Sequence, residues 1–111
     1  MIGNKRTGQV LARDELYCDN TLSLAMGLRF RGKRAAVLDF GRARRVMLDM
    51  WFVFYPIDVL FLDEEKRVVE IKRNLRPWSN YRAARKACYA VEIPCYKALN
   101  ARLDDKLVFT L

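Results

Sequence analysis

Residues 50–63, Met-Trp-Phe-Val-Phe-Tyr-Pro-Ile-Asp-Val-Leu-Phe-Leu-Asp, constrain this fold more than any other stretch. They are the most apolar and aromatic part of the chain, with one proline and one interior charge, Asp58. Aromatic and β-branched residues favour strand over helix. Pro56 lacks the donor a central strand needs, so residues 46–55 and 58–62 are expected as separate strands. Burying a Phe or Trp contributes roughly 2–3 kcal/mol, and Trp51, Phe52, Phe54 and Phe61 are expected to supply much of the core.

The rest of the chain is read around that centre. At 111 residues it is expected to form one domain over 1–111 with a single core. Residues 1–8, polar with two glycines, are expected to be loosely held. Residues 9–11 and 15–18 suit short strands. Asn20 suits a helix cap and Gly27 the end of a helix of about two turns. Residues 35–40 read as a strand and 41–45, Gly-Arg-Ala-Arg-Arg, as a basic loop. Residues 63–66 turn a hairpin into 67–73, where Val69 and Ile71 alternate with Glu70 and Lys72. Residues 74–84 read as loop, 87–93 as a strand stopped by Pro94, 96–103 as a helical turn and 106–111 as a closing strand. The expected class is mainly β: a small, mostly antiparallel β-sandwich or barrel with one or two short helices.

Composition narrows the chemistry. The chain has no His, which removes the commonest general base and metal ligand and every Ser-His or Cys-His arrangement. Cys18, Cys88 and Cys95 are odd in number and show no Cys-x-x-Cys spacing, so neither a disulfide framework nor a zinc knuckle is implied, and no cofactor is expected. The longest charge-free apolar run, 50–57, is far short of the ~20 residues of a membrane helix, and no apolar leader precedes it; a cytoplasmic location and no membrane contact are expected. The net charge is +8, with ten Lys/Arg against four Asp/Glu in residues 1–47, a balance that suits nucleic acid or other anions as well as a plain basic surface.

Four ordered motifs carry a resemblance. Pro56, Asp58, Phe61 and Asp63 form a Pro-hydrophobic-Asp-x-hydrophobic-Phe-hydrophobic-Asp core. Gly27-Leu28-Arg29-Phe30-Arg31, Leu75-Arg76-Pro77-Trp78 and Glu92-Ile93-Pro94 accompany it. Together they resemble the domain of unknown function 192 family, also called uncharacterised protein family 0127, in its archaeal branch. The resemblance implies a small jelly-roll-like β fold and no assigned activity. The chain departs from the family pattern where Cys95 and Tyr96 replace a small residue and Gly, where Asp104-Asp105 replaces Gly-Asp, and where residues 36–40 replace Gly-Met-Leu-Phe.

Among candidate site residues Asp58 stands first. A carboxylate in an apolar run is costly to bury unless it is hydrogen-bonded or paired. It suits either a ligand contact or general base, or a structural acceptor tying down the turn after Pro56, with Arg31 and Arg76 as candidate partners. Arg76 and Trp78 combine a donor with a stacking surface that suits a sugar, a base or a carboxylate, whereas the structural alternative folds Trp78 over the core edge. Arg42, Arg44 and Arg45 form the strongest basic patch. The expected function is a non-enzymatic binding or accessory module for an unknown small ligand or protein. The alternatives are a nucleic-acid-binding module using the 42–45 loop and an enzyme using Asp58 with an Arg. The sequence names no oligomeric state.

Overall fold

The computed structural model describes residues 1–20, 24, 27–28, 32–95 and 99–109. The fold is mainly β, as expected, in two sheets. The strands are β1 Ile2–Asn4, β2 Val10–Ala12, β3 Leu16–Cys18, β4 Ala36–Asp49, β5 Ile57–Leu62, β6 Val68–Leu75, β7 Asn80–Pro94 and β8 Leu107–Phe109. The smaller sheet has the order β2-β1-β8 and the larger β3-β4-β7-β5-β6. All pairings between these strands are antiparallel except β3 with β4. A parallel pair needs a long crossover, and residues 19–35 supply it. Most of the helix expected there lies outside the described residues. Within them, Leu24 N–H donates to the Asn20 carbonyl at 2.9 Å and Gly27 takes a left-handed φ of 48°. The sheets form a layered arrangement, and the described residues close no barrel.

β5 is the centre of the molecule, and all six of its residues are buried. Ile57, Val59 and Phe61 enter one apolar cluster, while Leu60 and Leu62 enter a second on the opposite face. The single expected core is therefore two layers. The small sheet closes the second layer with Ile2, Leu11, Leu107 and Phe109. Accordingly residues 2–4, expected to be loose, form the middle strand of that sheet. The first layer is closed by the outer halves of β4 and β7, which curl back over β5 as a ribbon bearing Val46, Leu48, Ala83 and Ala87.

That ribbon corrects three expectations. The basic segment 41–45 is not a loop but the middle of the 14-residue β4, bulged near Gly41 at φ 76°. Much of the expected 74–84 loop is the start of the 15-residue β7, leaving 76–79 as the turn. β4 stops at Asp49, so residues 50–55 are a turn rather than a strand. There the Met50 carbonyl accepts N–H groups from Val53 at 3.2 Å and Trp78 at 2.9 Å. Met50, Val53 and Tyr55 point inward, but Trp51, Phe52 and Phe54 are 52%, 42% and 62% exposed. Three of the four rings assigned to the core are thus on the surface; Phe61 is fully buried. Residues 96–98 of the expected helical turn lie outside the described residues, and 99–103 contain no helix. No helix among the described residues is long and apolar enough to cross a membrane.

Candidate functional site

Asp58 lies opposite a bulge in β6. Ile57 pairs with Leu75 and Val59 with Lys72, so two β6 residues face one on β5. Asn74, within the bulge, has a left-handed φ of 54°. Such a bulge leaves ladder groups unpaired, and Asp58 supplies the missing acceptor. Its Oδ1 takes the Asn74 N–H at 2.9 Å and the Cys95 thiol at 3.2 Å. The cation beside it is Arg73, with Nη1 4.0 Å from Oδ2, and not Arg76, which is exposed in the 76–79 turn. Arg73 also reaches the carbonyls of Leu99 and Ala101 at 3.4 and 3.5 Å. Asp58 is 7% exposed and lines none of the described cavities. Burial and then hydrogen bonding to Asp58 push the Cys95 thiol up to about 11, so it stays protonated at neutral pH.

The other expected residues do not gather around Asp58. Arg31 lies outside the described residues. Trp78, rather than folding over the core, is 44% exposed at a left-handed φ of 62°. It forms the hub of an aromatic cluster, with Trp51, Phe52 and Phe54 at centroid distances of 5.7, 5.0 and 5.7 Å. Arg42, Arg44 and Arg45 stand on β4, where strand alternation sends Arg44 and Arg45 to opposite faces. The Arg44 guanidinium lies over the Phe40 ring at 5.8 Å, and Arg45 Nε donates to the Ala83 carbonyl at 3.3 Å.

A cleft of about 270 Å³ opens on the first layer. Leu24, Gly27 and Leu28 form one wall, β4 from Leu38 to Asp49 another, and Met50 and Val53 the end. Most of the lining residues are apolar, but polar atoms make up the larger part of the exposed wall, and Arg44 and Asp49 add charge. Glu92 also lines it, 6% exposed, on β7 opposite Ala36 and Val59. A Cβ on Gly27 would come within 4.0 Å of Glu92 Oε1, so the loop backbone runs close to this carboxylate. In the sequence Glu92 is a motif member that no local feature marks as a site residue. The available signal was a carboxylate on the same strand face as Ala90, in a segment ending Val-Glu-Ile-Pro. The cleft joins Gly27-Leu28 to Glu92, parts of two of the four motifs. No group of three or more His, Cys, Asp or Glu placed to hold a metal occurs among the described residues.

Comparison with known proteins agrees with this architecture. Residues 5–108 match the DUF192 family, described as uncharacterized ACR. A UPF0127 protein of Pyrococcus furiosus is 31% identical over 109 residues, covering 94% of this chain and 93% of that relative. One from Pyrococcus abyssi is 34% identical over 94 residues, covering 80% of each. Among solved structures, a Sinorhizobium meliloti protein described as a "putative transcription regulator" superposes with a TM-score of 0.84 at 22% identity, over 96% of this chain and 90% of that one. A Novosphingobium aromaticivorans protein of unknown function superposes at 0.81 and 20% identity, over 97% and 83%. At these identities the two structures establish the fold alone.

Proposed function

The chain belongs to the DUF192 (UPF0127) family, and we propose that it is a non-catalytic binding module whose site is the cleft between the Gly27-Leu28 segment, β4 and β7. The observation that carries this reading is Glu92, a buried carboxylate on the wall of an open cleft lined mainly by apolar residues. Clefts with an apolar lining and a few placed polar groups are the usual form of small-molecule sites. At about 270 Å³ the volume suits a ligand smaller than the ~300–1,000 Å³ class. Glu92 and Asp49 favour an ammonium or other donor on that ligand, and Arg44 favours an anionic group on it. Catalysis has little support. Asp58 is engaged at the β6 bulge, Cys95 is protonated, and the chain has no His.

A thermal-shift screen over amines, amino acids, sugars, nucleosides and carboxylates tests the proposal. A ligand at a hundred times its Kd stabilises the folded state by about 2.7 kcal/mol, a rise on the order of 10 °C for a domain of this size. That rise is expected to vanish in Glu92→Gln and to shrink in Arg44→Ala. A hit that shifts the native chain and both variants equally binds elsewhere and removes the cleft from consideration.

A further inference from the structure

The outward face of the β4–β7 ribbon holds a second arrangement, which meets the cleft at Met47 and Asp49. Val46 and Leu48 point into the core, so Arg45, Met47 and Asp49 point out. Their cross-strand neighbours on β7 are Lys86, Arg82 and Asn80. Both strands then run into the aromatic cluster, β4 through Trp51 and β7 back through Trp78. One face therefore passes from cations, along roughly 13 Å of strand from Arg45 to Asp49 at about 3.3 Å per residue, to the stacked rings of the turn that follows. We infer that this face binds single-stranded nucleic acid, with Arg45, Arg82 and Lys86 on phosphates and the Trp51, Phe54 and Trp78 rings against unstacked bases.

Three features point to an anionic, stacking partner. Arg45 and Lys86 stand directly opposite each other, a like-charged pair that destabilises a sheet unless something neutralises it. Phe52 and Trp78 hold left-handed backbones, at φ 62° each, that bulky residues rarely adopt. Strain of this kind concentrates at ligand-contacting sites, and here the two residues sit in the turns that carry the exposed rings. Aromatic platforms beside a basic track are also the general chemistry of single-strand binding. Asp49, the acid on this face, turns its Oδ1 to the Trp51 N–H at 3.4 Å. A second copy of the chain is a poor occupant, because the chain carries +8 and its ribbon cations would meet their own kind. A lipid surface fits less well than a polynucleotide, because these cations form a track leading away from the rings.

Fluorescence anisotropy tests the inference, using labelled oligothymidylate and oligouridylate of about 12 nucleotides, within the usual single-strand site sizes, and a duplex of equal length. Titrations run between about 50 and 200 mM salt. The expected result is tighter binding to single strands than to duplex, quenching of tryptophan emission, and a steep loss of affinity with salt. A combined Arg45→Gln, Arg82→Gln and Lys86→Gln variant is expected to flatten the salt slope by about 2, at ~0.7 per phosphate contact. A Trp51→Ala, Phe54→Ala variant is expected to lose about tenfold or more in affinity with its salt slope retained. All five side chains are exposed, and circular dichroism melts confirm that the variants fold. Absence of binding at low salt overturns the inference. Equal affinity for duplex, with no effect of the ring substitutions, overturns the stacking role. Failure on oligonucleotides with ring-dependent sedimentation on phosphatidylserine vesicles assigns the face to membranes instead.

Discussion

Replacing Asp58 with Asn probes the β6 bulge through two independent readouts. The native carboxylate accepts the Asn74 N–H at 2.9 Å and the Cys95 thiol at 3.2 Å. A hydrogen bond to a charged group contributes about 1.5–3 kcal/mol and one between neutral groups about 0.5–1.5 kcal/mol. The Arg73 pair, at 4.0 Å from a half-exposed guanidinium, adds at most about 1 kcal/mol. Asn keeps an acceptor for the Asn74 N–H but loses the charge, so Asp58→Asn is expected to cost about 1–2 kcal/mol. Asp58→Ala strands that N–H in a left-handed backbone and is expected to cost about 2–4 kcal/mol. In a domain of this length the Asn change lowers Tm on the order of 4–8 °C, and the Ala change roughly twice that. The second readout is the thiol. With Cys95 pushed up to about 11 by burial and by Asp58, on the order of one thiol in a thousand is ionised at pH 8. Removing the carboxylate charge lowers that value, so Asp58→Asn is expected to speed alkylation of Cys95, mapped by mass spectrometry, while buried Cys18 and Cys88 stay slow. An Asn variant at least as stable as the native chain, with Cys95 no more reactive, would refute the bulge-closing role and return Asp58 to the candidate ligand residues.

Three further outcomes follow from particular contacts. Asp104 occupies a left-handed φ of 71° at the place of the family's Gly, a conformation that costs an L-residue roughly 1–2 kcal/mol. Less the extra unfolded-state entropy of Gly, about 0.5–1 kcal/mol, Asp104→Gly should stabilise by up to about 1 kcal/mol in urea melts, and a loss would show that the Asp104 side chain matters more than its backbone. The Arg6 guanidinium, with the Asn4 amide and the Arg102 N–H, holds the Asp105 carboxyl well below the usual carboxylate range against the opposing effect of burial. A depressed folded value means stability that is complete above the unfolded pKa of about 3.9 and is lost as pH falls toward the folded one. The Tm gap between native and Asp105→Asn should therefore hold from pH 7 to about 5 and narrow below about 4; a gap constant through the acid range would exclude the charge as its source. Finally, Phe54→Ser should cost less than about 1.5 kcal/mol, the worth of its edge contact with Trp78, whereas Phe61→Ala should cost about 3–5 kcal/mol, and equal costs would place Phe54 in the core after all.

The contrast between those two phenylalanines shows what local pattern reveals and what it leaves out. Residues 50–55 and 57–62 look alike by composition: short, apolar and rich in large side chains. One is a strand buried on both faces because β7 and β6 flank it and an apolar layer covers each side. The other is a turn at the end of a ribbon, where three of its rings stay in solvent. Hydropathy cannot separate these cases, because topology decides what covers a face. The same limit hid the outer half of β7. There Ala83 and Ala87 face the core, and Arg82, Arg85 and Lys86 face out, so the segment lacks the β-branched signal by which strands are recognised. Its pairing is imposed by β4 and by Glu70, whose carboxylate accepts the Ala84 and Arg85 N–H groups at 2.9 Å each. The 63–66 hairpin was legible because its alternation and its turn lie within a dozen residues. The cleft was only partly so. Gly27-Leu28 and Glu92 stand out singly as motif members, but the β3–β4 crossover and the β4–β7 register are what bring them to one wall. Long-range pairing of this kind is what turns Glu92, a carboxylate that looks incidental in sequence, into a lining residue of the cleft.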